Sequence, residues 1–408
     1  MIDYKKNIGK YKMDFSFSNL PPTEMKHYQI LKDVGFNVAV PNEYQYGKVG
    51  EKSWDDILSL LEEVGFEKIR VTLSNVKTEG VDRLLKMDLR KHPKIYSVRF
   101  WDEPTYREIP ILKDLYKRCE SEYPEIIWTT NLLPDYIHFQ DLGSPYRKYI
   151  DTFFEEIIKN QMGERVIWCD YYPFLNKNGS TFLATYLWNF DYFAQKCKEY
   201  DTTLCWHVQA CNFFRHRDIW YEDISFQVLV ALAFGVKDIS FFNYAVPENH
   251  PDHPEGCYSL IDVENNPTHL YYDVQRVIRE VRKVEHILCS FNYNGMKVFV
   301  GKNNTKGYNI AFDFVDNELG DLQAIKDFES CEDAVITECI GENDEYGYFV
   351  INYTDPYCKV SNKVKVGLKD GYSKTLCVLN GKEYIVDGTE IEIELKPGEV
   401  LFIVPQKA

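Results

Sequence analysis

Between residue 14 and about residue 288 the chain alternates short β-branched or aromatic runs with longer amphipathic stretches. That is the pattern of repeated βα units around a parallel sheet. Eight runs read as strands: DFSFSN (14 to 19), NVAVP (37 to 41), KIRVTL (68 to 73), IYSVRFW (95 to 101), IIWTTN (126 to 131), RVIWCDYY (165 to 172), TTLCWHVQA (202 to 210) and KDISFFNY (237 to 244). A helical pattern follows each of them. In SWDDILSLLEEVGF, Ser53 is placed to cap, acids fill the first turn, apolar residues recur at helical spacing and Gly65 closes the end. QILKDVGF ends in the same way, and Gly35, Gly65 and Gly235 mark short helix-to-strand connections that need a positive φ.

Eight such units predict an α/β fold, a closed (β/α)₈ TIM barrel over residues 1–290. An open doubly wound sheet is the alternative, but such sheets carry a glycine-rich ligand loop after the first strand. The corresponding stretch here, FSFSNLPPTEM, has neither GxGxxG nor GxxxxGK[ST], which removes the usual support for nucleotide binding. Over residues 291–408 the texture changes to short alternating runs: MKVFVG, YNIAFDF, YGYFVINY, KVKVGL, KTLCVLNG, TEIEIEL and EVLFIVP. Asn-Gly, Asp-Gly and Pro-Gly pairs at 380–381, 387–388 and 397–398 punctuate them, as tight hairpins prefer. This part reads as an antiparallel β-sandwich with a stabilising or accessory role.

Length and composition agree with two domains. The 408 residues suit one barrel of about 250 residues plus a smaller unit, and 45% apolar with 15% aromatic content is enough to bury large cores. A net charge of −16, with Lys and Arg scattered, opposes nucleic acid and anionic membrane surfaces as partners. The 11 cysteines include no CxxC pair and sit mostly in apolar runs, so they read as reduced core thiols. The opening lacks an apolar signal segment, and no stretch approaches the roughly 18 apolar residues of a membrane span. The expected compartment is the cytoplasm, although a chain secreted with removal of its signal peptide would look the same.

In a (β/α)₈ barrel the site forms where the strands end, so polar residues there carry most weight. Strand 4 ends in Trp101, Asp102 and Glu103, strand 5 in Asn131, strand 6 in Asp170, Tyr171 and Tyr172, strand 7 in Trp206, His207 and Gln209, and strand 8 in Asn243 and Tyr244. Carboxylates beside aromatic rings suit sugar chemistry: an acid protonates the glycosidic oxygen while rings stack on the pyranose face. Each residue also has a structural reading. The acids of DEP favour the start of the next helix through its dipole, Asp170 could satisfy backbone donors, and His207 and Gln209 could be hydrogen bonders lining the barrel. Glu43 and Glu255 read as solvated loop acids. A metal site has weak support: HExxH and paired histidines at ligand spacing on a strand are absent, and the DHP and NHP of the 249 to 254 loop could bind a metal, but clustered loop histidines are more often solvated.

With these residues in place, the chain resembles clan A glycoside hydrolases, broadly the β-galactosidase-like barrels, over nearly all of residues 14 to 288. In that clan the general acid/base glutamate follows strand 4 in an Asn-Glu-Pro motif. WDEP is similar, which implies the acid role for Glu103 and puts Asp102 where the asparagine contacts the sugar 2-hydroxyl. FGVKDISFFNYAVP followed by GCYSLIDVENNPTHLYYDVQRVIREV is similar to the clan's exit from the barrel. The clan's nucleophilic glutamate ends strand 7, where this chain has Gln209, which cannot serve as a carboxylate nucleophile. Four readings stay open: a shifted strand register, Asp170 as the second carboxylate, an inverting reaction through a water, or a sugar binder without turnover. The resemblance thus implies a hydrolase acting on an oligosaccharide or glycoside through Glu103 and Asp170. Trp101, Asp102, Asn131, Tyr171, Tyr172, Trp206, His207, Gln209 and Tyr244 are expected to shape the subsite, with no cofactor. A metal-dependent barrel hydrolase or isomerase using Asp170, His207 and the 249 to 255 loop is the rival from another class.

Overall fold

A computed structural model describes residues 3–18, 24–41, 54–73, 77–175, 183–213, 216–246, 257–304 and 316–407. Ser53, Glu43, the 249 to 255 loop and the YNIAFDF run lie outside the described residues. The elements run β1 (Asp14–Phe17), α1 (Met25–Val34), β2 (Val38–Ala39), α2 (Trp54–Val64), β3 (Lys68–Thr72), α3 (Lys77–Leu85), β4 (Ile95–Asp102), α4 (Ile109–Glu122), β5 (Ile127–Leu132), α5 (Phe139–Leu142), α6 (Tyr146–Glu156), β6 (Val166–Asp170), α7 (Leu183–Tyr200), β7 (Thr203–Gln209), α8 (Tyr221–Ala233), β8 (Asp238–Phe242) and α9 (His269–Leu288).

The eight strands form one parallel sheet in the order β1-β8-β7-β6-β5-β4-β3-β2. It closes on itself, because the Asn37 N–H just before β2 donates to the Phe15 carbonyl at 3.2 Å while β1 also pairs with β8. All eight expected strands are present, each followed by helix, and Gly35, Gly65 and Gly235 adopt φ of 111°, 84° and 84°.

Strand alternation divides the side chains between helix layer and barrel interior. Phe15, Phe17, Phe100, Trp128, Trp206 and Phe241 face the helices and build the main core. The interior is unusually charged. At its lower end Arg70 hydrogen-bonds Asp238 and Tyr96, donates to Ser16 at 3.1 Å, and lies 4.2 Å from the Trp168 ring centre. A buried guanidinium needs such pairing to offset its desolvation.

Nine further strands follow: β9 (Phe291–Phe299), β10 (Ile325–Ser330), β11 (Ala334–Gly341), β12 (Tyr346–Asn352), β13 (Asn362–Leu368), β14 (Tyr372–Leu379), β15 (Lys382–Asp387), β16 (Glu390–Leu395) and β17 (Val400–Lys407). They form a three-stranded sheet, β10-β13-β16, packed on a six-stranded sheet, β15-β14-β17-β12-β11-β9. Ile336, Val350 and Ile403 of the larger sheet meet Val364, Val366 and Ile391 of the smaller. The opposite face, with Val335, Phe349, Ile351 and Phe402, joins the barrel's core. A sheet covered on both faces reads as continuous apolar runs, which is why AVITECI and VLFIVP do not alternate, whereas KVKVGL and EIEIEL, with one wet face, do.

Close polar and turn contacts also tie the sheets to the barrel, two of them at α8 and α9. The Asn380-Gly381 turn has φ of 51° and 68° and presses on α9, where a Cβ at Gly381 would fall 2.7 Å from the Glu280 carbonyl. Arg217, in the loop after β7, meets Asp223 of α8 at 2.7 Å and Asp355, beyond β12, at 3.0 Å.

Candidate active site

The site lies where β4, β5 and β6 end. A register shift between Arg99 and Trp101 inserts Phe100 as an extra residue against β5. In simple alternation an inward Arg99 would be followed by an inward Trp101. The extra residue rephases the strand, so Trp101 pairs with Thr130, whose hydroxyl meets Tyr116 of α4, and Asp102 pairs with Asn131 inside the barrel. Trp101 is accordingly part of the buried core and not a wall of the subsite.

Glu103 follows with φ of 49°, a left-handed conformation uncommon for a side-chain-bearing residue. Its N–H still extends the ladder to the Asn131 carbonyl at 2.9 Å. This break in alternation lets two consecutive acids turn towards Asp170. Helix capping falls to Thr105, whose backbone N–H is met by Glu108 at 2.8 Å, so the reading of DEP as a mere helix start does not account for Asp102 and Glu103.

Glu103 presents accessible surface to the barrel mouth, although protein surrounds it on most sides, and its carboxyl lies near enough to that of Asp170 for the two to act on one another. Asn131 holds the acids in register: its Nδ2 donates to Asp170 Oδ1 at 2.9 Å and to Asp102 Oδ1 at 3.1 Å. The charge on Asp170, burial and Asp102 together hold the Glu103 carboxyl well above the ordinary carboxylate range. Asp170 is pushed up to about 6 by burial and Asp102, against the hydrogen bond from Asn131 and the approach of Glu103, which favour its ionised form. Both shifts run upward, so the two carboxyl groups together hold a proton more tightly than isolated acids would.

Tyr172 packs against Phe213, His216 and Phe242, and both carboxyl groups act on its hydroxyl. Tyr136, in the loop after β5 and 37% exposed, stands against the same pair and places its ring edge-on to Tyr171 at 5.0 Å. Arg99 sits one inward position below Asp102 and acts on Glu103. Sequence reasoning passed over Tyr136 and Arg99. The signal for Arg99 was a guanidinium in the middle of an apolar strand, a costly placement without a purpose.

Several expected subsite residues are elsewhere. Trp206 stacks on Phe190 of α7 at 4.0 Å and meets Phe193 edge-on, because it alternates with the inward Cys205 and His207. Tyr171 is outward for the same reason, hydrogen-bonded to Thr185 of α7. Tyr244 bonds His27 of α1 at 2.8 Å and packs on Phe17. Gln209 is fully buried, with Nε2 donating to the Cys211 carbonyl at 3.2 Å, so it closes the turn after β7. His207 is inside the barrel but enclosed, with Nε2 at 2.6 Å from Arg99 and Nδ1 at 3.2 Å from Ser18. Among the described residues no three His, Cys, Asp or Glu side chains converge as metal ligands would, and no helix is long and apolar enough to cross a membrane.

No family model and no curated protein matches the sequence. Solved structures do match the fold. A family 39 glycoside hydrolase from the gut symbiont Bacteroides cellulosilyticus WH2 aligns with a TM-score of 0.56 at 12% identity, over 100% of this chain and 82% of its own. A β-galactosidase from Marinomonas ef1 gives 0.51 at 10% identity over 69% and 62%, and a GH27 β-L-arabinopyranosidase from Geobacillus stearothermophilus gives 0.50 at 10% over 99% and 98%. The chain is a (β/α)₈ barrel followed by a β-sandwich, sharing its fold with glycoside hydrolases.

Proposed function

We propose that the protein is a glycoside hydrolase acting on an oligosaccharide or glycoside, with Glu103 as proton donor and Asp170 as nucleophile. The observation that carries this reading is the convergence of acids at the ends of β4 and β6, where Asn131 donates to both Asp102 and Asp170 and Glu103 and Asp170 act on one another. Their unequal environments favour a protonated Glu103 beside an ionised Asp170, the division of labour that glycoside cleavage needs. The separation that the pair adopts around a bound sugar sets the stereochemistry: retaining pairs stand about 5 to 5.5 Å apart, while inverting pairs leave about 6.5 to 9.5 Å for a water.

In the first step an Asp170 oxygen attacks the anomeric carbon while the Glu103 proton passes to the departing glycosidic oxygen. The products are a glycosyl ester on Asp170 and a free alcohol. In the second, the Glu103 carboxylate takes a proton from water, whose oxygen displaces Asp170 and restores both groups. Asn131 keeps the Asp170 lone pairs oriented, and Tyr172 and Tyr136 offer ring faces and hydroxyls to the sugar. Asp102 stands where it could accept a hydrogen bond from a sugar hydroxyl.

The test is hydrolysis of a panel of aryl glycosides by wild type and Glu103→Gln. Loss of about 10²- to 10⁴-fold in kcat with an unchanged fold is expected, and unaltered turnover overturns the assignment. The second reading, a sugar binder without turnover, draws on Gln209 occupying the strand-7 position where the resemblance expects a carboxylate. Wild-type protein that binds glycans and releases no product over long incubation would favour it.

A further inference from the structure

Trp220 and Tyr357 are left 50% and 56% exposed, the first just before α8 of the barrel and the second in the sandwich segment beyond β12. A single guanidinium holds both. Arg217 Nη1 and the Trp220 N–H donate to the same oxygen, Asp223 Oδ2, at 2.9 and 3.0 Å. Arg217 Nη2 and the Tyr357 N–H likewise share Asp355 Oδ1, each at 3.0 Å. All three charged side chains are buried, a costly support for two rings that face water. Rings that merely happened to be exposed would not need it. Their orientation is set as well: Arg217 Cζ lies 5.1 Å from the Tyr357 ring centre, and Trp220 stacks at 4.4 Å on His269 of α9, whose Nε2 donates to the Ile219 carbonyl at 2.9 Å.

The same support reaches back to the acids. Arg217 Cζ lies 4.5 Å from the ring centre of Phe174, four residues beyond Asp170, and the Arg217 N–H and His216 Nδ1 both donate to the Phe174 carbonyl, at 3.3 and 3.0 Å. Phe213 and His216 pack on Tyr172. The segment after β7 thus begins at the wall of the candidate active site and ends at Trp220, at the mouth end of the barrel where α8 and α9 start. Asn212 and Asp218, hydrogen-bonded to one another at 2.9 Å, add an amide and a carboxylate that suit hydroxyl groups. Two aromatic side chains bury about 300 to 500 Å², short of the roughly 800 Å² per partner of a stable protein interface. Flat, rigid rings beside hydrogen-bonding groups match sugar units instead.

We propose that Trp220 and Tyr357, held by Arg217, form a sugar-stacking rim that continues the barrel mouth onto the β-sandwich, so that the substrate is a chain of several sugar units. The inference rests on the carbohydrate reading above, but binding tests it apart from turnover. The full chain and its Trp220→Ala and Tyr357→Ala variants are titrated with, and assayed on, disaccharides and hexasaccharides of glucose, galactose, mannose, xylose and arabinose. Wild type is expected to bind the hexasaccharide of its preferred sugar more tightly than the disaccharide. Each variant should lose roughly 3- to 10-fold in hexasaccharide affinity, a loss that fades as the chain is shortened. An equal loss at both lengths, or none in either variant, overturns the rim. Both rings lie at the surface, and should one variant fail to fold, the other decides. A wild-type dimer that either substitution dissociates in sedimentation would make the rings a contact between copies and overturns the rim as well. Hydrolysis with no gain from chain length refutes the rim alone. Length-dependent binding through the two rings without any product refutes the hydrolase reading alone, and wild type that binds none of the sugars refutes both.

Discussion

The Asn131 side-chain amide lies 2.9 Å from Asp170 Oδ1 and is the neutral donor that stabilises this carboxylate's ionised form in a buried setting. Hydrogen bonds to charged groups contribute about 1.5 to 3 kcal/mol, and this one also spans two strands, so it fixes where the Asp170 oxygens point.

Asn131→Leu should therefore lower kcat/KM by about 10- to 100-fold. Losing a donor to the ionised form raises the carboxyl's affinity for protons, so the acid limb of the pH-rate profile should move to higher pH. A profile that stays in place would show that Asn131 does not act on Asp170.

Stability should carry the signature of the same residue. Asp170 binds its proton up to about pH 6 when folded, above the unfolded carboxylate value. The native state thus holds more protons than the unfolded chain between about pH 4 and 6, and stability falls as pH rises through that window. Asp170→Asn removes the penalty and is expected to be more stable than wild type at pH 8 by on the order of 2 kcal/mol, with the advantage gone below about pH 4. Asp238, pushed up to about 7 by burial, gives both proteins a slope of the same sign. Denaturant titrations at the two pH values measure the difference, and equal stability at pH 8 would contradict it.

Trp206→Ala tests the division between mouth and core. With its ring stacked on Phe190 at 4.0 Å, its loss should cost about 3 to 5 kcal/mol of stability and leave KM of the folded protein unchanged. The opposite outcome, weaker substrate binding at unaltered stability, would return Trp206 to the subsite.

These contrasts show what the sequence conveys. Several barrel strands are short apolar runs that close on a polar residue, and the acids at the ends of β4 and β6 were visible for that reason. The aromatic residues beside them were not separable by type, because both faces of a barrel strand are buried and period-two alternation carries no polarity difference. Counting positions from an inward His207 would have turned Trp206 outward, but the bulge at Phe100 changes the count within β4 and leaves no mark in composition. The same double burial hid β11, while β10 and β15 are short edge strands with mostly polar residues. Gln209 looked like a failed nucleophile because a strand end says where a side chain begins, not which turn it closes.

Trapping of the glycosyl intermediate bears most directly on the Glu103–Asp170 pair. Wild-type protein is incubated with activated 2-deoxy-2-fluoro glycosides of the sugar it cleaves, digested and analysed by mass spectrometry. The predicted result is a fluoroglycosyl adduct on the peptide containing Asp170, formed as activity is lost. An adduct on a different carboxylate, or hydrolysis that inverts the anomeric centre without any adduct, would contradict the account.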